Sequence, residues 1–110
     1  MLDQLQLTPS ETKEFISDND ALLLDVRTPE EFAIVNLSHI GNHLHLPMDA
    51  LSQNLAQIDK DKKIVIYCHH GVRSLHVQHF LLQNGYDQVY NLIGGIDAWT
   101  NEVEPELTRY

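Results

Sequence analysis

The sequence predicts a single α/β domain, a parallel sheet with helices on both faces. Three observations carry that prediction. Short apolar runs alternate along the chain with segments that open on helix-capping residues. Those helical segments supply the crossovers that parallel strands require, because a tight turn cannot join them. The length, 110 residues, holds one hydrophobic core and leaves no room for a second.

Each element has a local reason. Thr8-Pro9-Ser10-Glu11 offers a capping hydroxyl, a proline at the first helical position and a glutamate three residues after the cap. A helix therefore starts there and runs to about Ser17. Ala21-Leu22-Leu23-Leu24-Asp25-Val26 is a nearly continuous apolar run that suits a strand buried on both faces. Thr28-Pro29-Glu30-Glu31 repeats the capping device and starts a short helix carrying Phe32 and Val35. Leu44 to Leu46, closed by Pro47, is a weaker strand, and Asp49 to Ile58 puts Leu51, Leu55 and Ile58 on one helical face. Lys63-Ile64-Val65-Ile66-Tyr67 is a buried strand, followed after a loop by a helix over 74–84 that stops at Gly85. Gln88 to Leu92 is a short strand, and Gly94-Gly95 turns tightly into a last helix with Ile96 and Trp99 on its core side. Residues 102–110, interrupted by Pro105, read as an extended strap or a frayed end with no assigned function.

Sixteen acidic residues against seven basic ones give a formal net charge of −9. A nucleic-acid partner needs a basic footprint and is excluded. An anionic substrate would meet a repulsive background, leaving near charges and N–H groups to decide once it is within about 8 Å, the screening length at physiological salt. Apolar runs of about five residues fall far short of the ~20 that span a bilayer. The start, Met1-Leu2-Asp3-Gln4, has neither the basic region nor the apolar core of a signal peptide. A single cysteine makes no internal disulfide, so the expected compartment is the cytoplasm, with no membrane partner.

That cysteine lies in Cys68-His69-His70-Gly71-Val72-Arg73-Ser74, between a predicted strand and a predicted helix. A sulfur at this junction faces the helix N-terminus, where free N–H groups and the helix dipole stabilise an anion, here the nucleophilic thiolate. Gly71 permits the positive φ that lets successive N–H groups converge, and Arg73 adds a permanent charge and a planar fork for an oxyanion. His69 and His70 stand inside the loop, where either at least one of them acts on an approaching substrate or both are simply exposed, and Val72 completes the turn into the helix. An inert core cysteine needs neither the glycine, the arginine nor the helix start. Asp25 and Arg27 read as a structural pair after their strand, Glu31 as the third residue of a capping box and Trp99 as core. His39, His43 and His45 cluster, and His76 and His79 share a helix face, but no ligand signature accompanies them, so no metal and no cofactor are expected.

Taken together, Leu24 to Phe32, Ser38-His39-Ile40, Leu46-Pro47, the loop from Cys68 to Ser74 and Gly94 to Trp99 resemble, in this order and spacing, the rhodanese (thiosulfate:sulfurtransferase) domain. The resemblance implies a three-layer α/β/α fold with a central parallel five-stranded sheet, forming one domain with its core over about 5–101 and a tail over 102–110. It implies that Cys68 takes a sulfane sulfur from a donor such as thiosulfate, holds it as a persulfide and passes it to an external thiol, cyanide or a thioredoxin-like acceptor. On the same ground the N–H groups of residues 69–73 cradle the persulfide, and Arg73 receives the donor's sulfonate end. Gly41-Asn42-His43 departs from the family's usual Pro-Gly-Ala, and Ser38 from its usual glycine, which implies a different turn geometry there. Two rivals remain. A phosphatase or arsenate reductase needs a larger loop than one with only His69, His70, Gly71 and Val72 between cysteine and arginine. A non-catalytic interaction or sulfur-carrier module does not need its cysteine loop intact.

Overall fold

The computed structural model describes residues 5–110. The opening Met1–Gln4, where the sequence shows no signal-peptide pattern, lies outside the described residues. Strands β1 (Gln6–Leu7), β2 (Leu22–Asp25), β3 (His43–His45), β4 (Ile64–Tyr67) and β5 (Val89–Leu92) form one sheet in the order β1-β5-β4-β2-β3. Every neighbouring pair is parallel. Central β4 is buried along its whole length, as a continuous apolar run should be when both of its faces are covered.

Helices α1 (Pro9–Asn19), α2 (Pro29–Ile34), α3 (Val72–Gln83) and α4 (Gly95–Glu102) supply the cover. Both predicted capping boxes form: the Thr8 and Thr28 hydroxyls accept from the N–H groups of Glu11 and Glu31, whose carboxylates reach back to the cap N–H. Alternation along the strands divides the core between the two faces. Leu24, Ile64, Ile66 and Cys68 join Val77, Leu81 and Tyr86 on one side. Leu23, Val65 and Tyr67 join Ile16, Ile96 and Trp99 on the other. Trp99 is core as expected, 2% exposed, with its indole N–H donating to Glu104.

Two expectations need correction. Asp49 to Ile58 forms no α-helix. Met48–Gln53 and Leu55–Gln57 are 3₁₀ turns divided by Asn54, whose side-chain amide bonds back to the Ala50 carbonyl. Leu51, Leu55 and Ile58 are four and three residues apart, a spacing that short turns of about 3.0 residues accommodate as well as an α-turn of 3.6, and Leu51 and Ile58 still reach the core. Val35 lies just past α2, in extended backbone at its C-cap, because that helix ends after six residues.

Candidate active site

Cys68 directly follows β4, at the carboxyl edge of the sheet where sites of parallel α/β folds form. The residue is 1% exposed. Its Sγ accepts from the N–H of Gly71 at 3.1 Å and from the N–H of Ser74 at 3.4 Å. Gly71 is the N-cap of α3 with φ +98°, a conformation open to glycine, and a Cβ there would meet the Gly94 nitrogen at 3.0 Å. Opposite the sulfur, the carbonyls of Cys68 and His69 accept from the Ile96 and Asp97 N–H groups at 2.9 and 3.1 Å. The first turn of α4 thus takes the loop's acceptors and leaves its donors facing the sulfur.

Beneath Cys68 runs a chain of amide side chains whose direction is set at its far end. The Gln78 Nε2 donates to the Leu5 and Val89 carbonyls, which can only accept. Gln78 Oε1 therefore accepts from Gln6, Gln6 Oε1 accepts from Asn91, and Asn91 Oδ1 accepts from the Ser74 hydroxyl. With its proton committed to Asn91, the Ser74 hydroxyl turns a lone pair toward Sγ, 3.4 Å away.

Arg73 begins in the first turn of α3, but its guanidinium fork rests on Glu31, Nη1 and Nη2 donating to Oε1 and Oε2 at 2.6 and 2.9 Å. Glu31 also accepts from the Tyr110 hydroxyl at 2.8 Å, and that hydroxyl accepts from Arg27 Nη1 at 2.9 Å. Arg73, aided by Tyr110 and the Thr28 N–H against burial, holds the Glu31 carboxyl well below the usual carboxylate range. Burial pushes the Tyr110 phenol up to about 12, so it remains a donor to Glu31 at neutral pH. Arg27 and Asp25, both wholly buried, form a bidentate pair that also takes the Arg27 N–H and the Tyr67 hydroxyl. This is the structural turn expected after β2.

The predicted loop residues stand together but face different surroundings. The His69 ring is flanked by His70 at 3.9 Å and by Tyr110, stacked at 3.8 Å. Its buried Nε2 has no partner among the described residues. Burial, with His70 adding, lowers the His69 pKa, which keeps it neutral through neutral pH. His70 is exposed, 3.9 Å from Asp97, and Val72 is 64% exposed. Three other histidines have separate partners, while His76 and His79 are exposed on α3. His39 meets Glu104, the His43 Nε2 donates to the Tyr67 hydroxyl, and the His45 Nε2 donates to the Arg27 carbonyl. No group of three or more His, Cys, Asp or Glu side chains among the described residues is placed to hold a metal ion.

Glu31 and Tyr110 escape sequence reasoning as site residues. Glu31 had a signal, since it follows β2 and Arg73 follows the adjacent β4, but its capping role accounted for it. Tyr110 had none, lying in a tail without periodicity.

The rhodanese-like domain family model matches residues 8–102. A thiosulfate sulfurtransferase GlpE of Coxiella burnetii is 35% identical over 86% of this chain and 85% of its own. A sulfurtransferase of Allochromatium vinosum is 43% identical over 78% of each chain. The crystal structure of a rhodanese-like domain protein from Staphylococcus aureus superposes with a TM-score of 0.78 at 32% identity, covering 96% of this chain and 97% of that one.

Proposed function

This chain belongs to the rhodanese-like domain family, and on that premise we propose that it moves a sulfane sulfur from a donor such as thiosulfate to a thiophilic acceptor through a persulfide on Cys68. The observation that carries the reading is the pair of N–H groups, from Gly71 and Ser74, directed at the sulfur of a cysteine at the carboxyl edge of the sheet. They stabilise negative charge on Sγ where it is needed and require no rearrangement to do so. The thiolate attacks the outer sulfur of the donor, the donor's S–S bond breaks, and sulfite leaves with the bonding pair. An acceptor thiolate then attacks the outer sulfur of the persulfide, breaking the Cys68 S–S bond and regenerating the thiolate. No net oxidant or reductant enters. The first-turn N–H groups of Val72 and Arg73, beyond reach of any intrahelical carbonyl, are the donors left for the outer sulfur, with His69 and His70 at its rim.

Two alternating displacements make the kinetics ping-pong. One cysteine leaves no resolving thiol, so the acceptor is external: a small thiol, cyanide or a thioredoxin-like protein. A thiol that works only when reduced suits the cytoplasm, and among the described residues no helix is long and apolar enough to cross a membrane. The residues expected as core, about 5–101, act as one catalytic domain; Glu102, expected in the tail, instead ends α4, and 103–110 fold back on the domain. Incubation with a sulfane donor should add one sulfur atom to Cys68, read by intact mass, and Cys68→Ser should take up none. An equal mass gain in Cys68→Ser would refute this mechanism.

A further inference from the structure

The permanent cations of this chain are distributed unevenly. Lys60, Lys62 and Lys63 precede β4, and Lys13 lines a cavity with Asp20 and Asn42, so all four lysines lie toward the opposite end of the sheet from Cys68. Three arginines remain near the loop, and each is already matched. Arg27 is held by Asp25, Arg73 by Glu31, and Arg109 by Asp97 at 2.8 Å. Glu30 and Asp49, both exposed, add negative charge at this edge. A dianion such as thiosulfate finds backbone N–H groups here but, among the Lys and Arg side chains of the described residues, no unmatched positive charge.

We propose that Glu31, clamped by Tyr110, is a specificity-determining residue that masks Arg73 and selects uncharged or singly charged organic persulfides, R–S–SH, over thiosulfate as the sulfur donor. The proposal rests on the sulfur-transfer reading above. With such a donor the Cys68 thiolate attacks the outer sulfur, the S–S bond breaks, and RS⁻ leaves with the pair while the proton stays on the transferred sulfur. Charge is unchanged across the step, and no dianion has to be held. Tyr110 acts through Glu31 as a positioning residue. Its hydroxyl fixes Oε2, and its ring on His69 keeps the tail seated on the loop. Arg109 anchors the same tail to Asn101 and Asp97 on α4.

The test measures sulfur loading on Cys68 by intact mass, against concentration, for thiosulfate and for 2-hydroxyethyl persulfide, which carries at most one negative charge, in wild type, Glu31→Gln and Tyr110→Phe. Glutamine preserves the capping box, and the phenylalanine keeps the stacked ring, so both variants are conservative. Glu31→Gln should raise the thiosulfate-to-persulfide ratio of loading efficiencies at least about tenfold, through the half-saturation concentration for thiosulfate rather than the maximal rate, because one net positive charge then faces the dianion. Tyr110→Phe should move the ratio the same way by a smaller factor. An unchanged or lowered ratio in Glu31→Gln would overturn the proposal. Failure of every protein to load from either donor would instead overturn the sulfur-transfer reading on which it rests.

Discussion

At the scale of single residues, the sulfur of Cys68 faces N–H groups because the carbonyls of its loop are occupied elsewhere. Gly95 makes this possible. With φ +64°, it brings the start of α4 so close that an added Cβ would lie 2.4 Å from the His69 oxygen and 2.5 Å from the Cys68 oxygen. No real Cβ tolerates such contacts, and the obstacles are backbone, which cannot rotate aside. Gly95→Ala should therefore push the loop off the Ile96 and Asp97 N–H groups and turn its donors away from Sγ. Overpacking together with a strained φ should lower stability by roughly 2–4 kcal/mol. A displacement near 1 Å at the nucleophile should slow loading by about a hundredfold. Urea unfolding and the loading rate measure the two effects separately. Wild-type loading in a destabilised Gly95→Ala protein would show that the carbonyl anchors do not shape the loop.

At the scale of elements, the two capping boxes separate stability from function. Thr8 and Thr28 cap α1 and α2 with the same geometry, but only the Thr28 box contains the glutamate that holds Arg73. Replacing either threonine by alanine should lower stability by about 1 kcal/mol through loss of a cap. Only Thr28→Ala should also shift the thiosulfate-to-persulfide loading ratio, because Glu31 loses the N3 bond that fixes its helix turn. Equal ratios in both variants would disconnect the cap from the site. The boxes also show what sequence makes legible. Caps, prolines at the first helical position and buried strands are written in adjacent residues, so the helices α1 and α2 and the strands β2 and β4 are readable locally. The helix expected over Asp49 to Ile58 is not legible as 3₁₀ turns because spacing alone does not distinguish a 3₁₀ turn from an α-turn. The start of α3 at Val72 was set two residues late because Gly71, its N-cap, has no capping side chain. Within the site, the sulfur and its N–H groups belong to one heptapeptide and are legible together. The Glu31–Arg73 pair depends on β2 lying beside β4, and the Tyr110 contact on a tail returning across the sheet edge, and neither leaves a local pattern.

At the scale of the whole molecule, three groups make the fold sensitive to acid in one direction. His43 and His69 have pKa values lowered from 6.5, each first by burial. In the unfolded chain both histidines take up protons as pH falls through about 6.5, while the folded protein resists doing so. The unfolded state then binds more protons, and stability falls with pH. Glu31 extends the loss into a lower window. Its folded carboxyl stays charged because of Arg73, whereas the unfolded chain protonates near the ordinary carboxylate value of 4.5. The stability that the Glu31–Arg73 pair contributes is complete above that value and is lost as pH falls below it. The urea midpoint should therefore be insensitive to these three groups above about pH 7, decline below about 6.5, and decline again below about 4.5. His43→Gln can still donate to the Tyr67 hydroxyl, so it should reduce the first decline without removing the bond. Glu31→Gln should remove its share of the second decline and leave the first. A midpoint that rose on acidification from about pH 7 to pH 5 would contradict the assignment of His43 and His69 as neutral in the folded state.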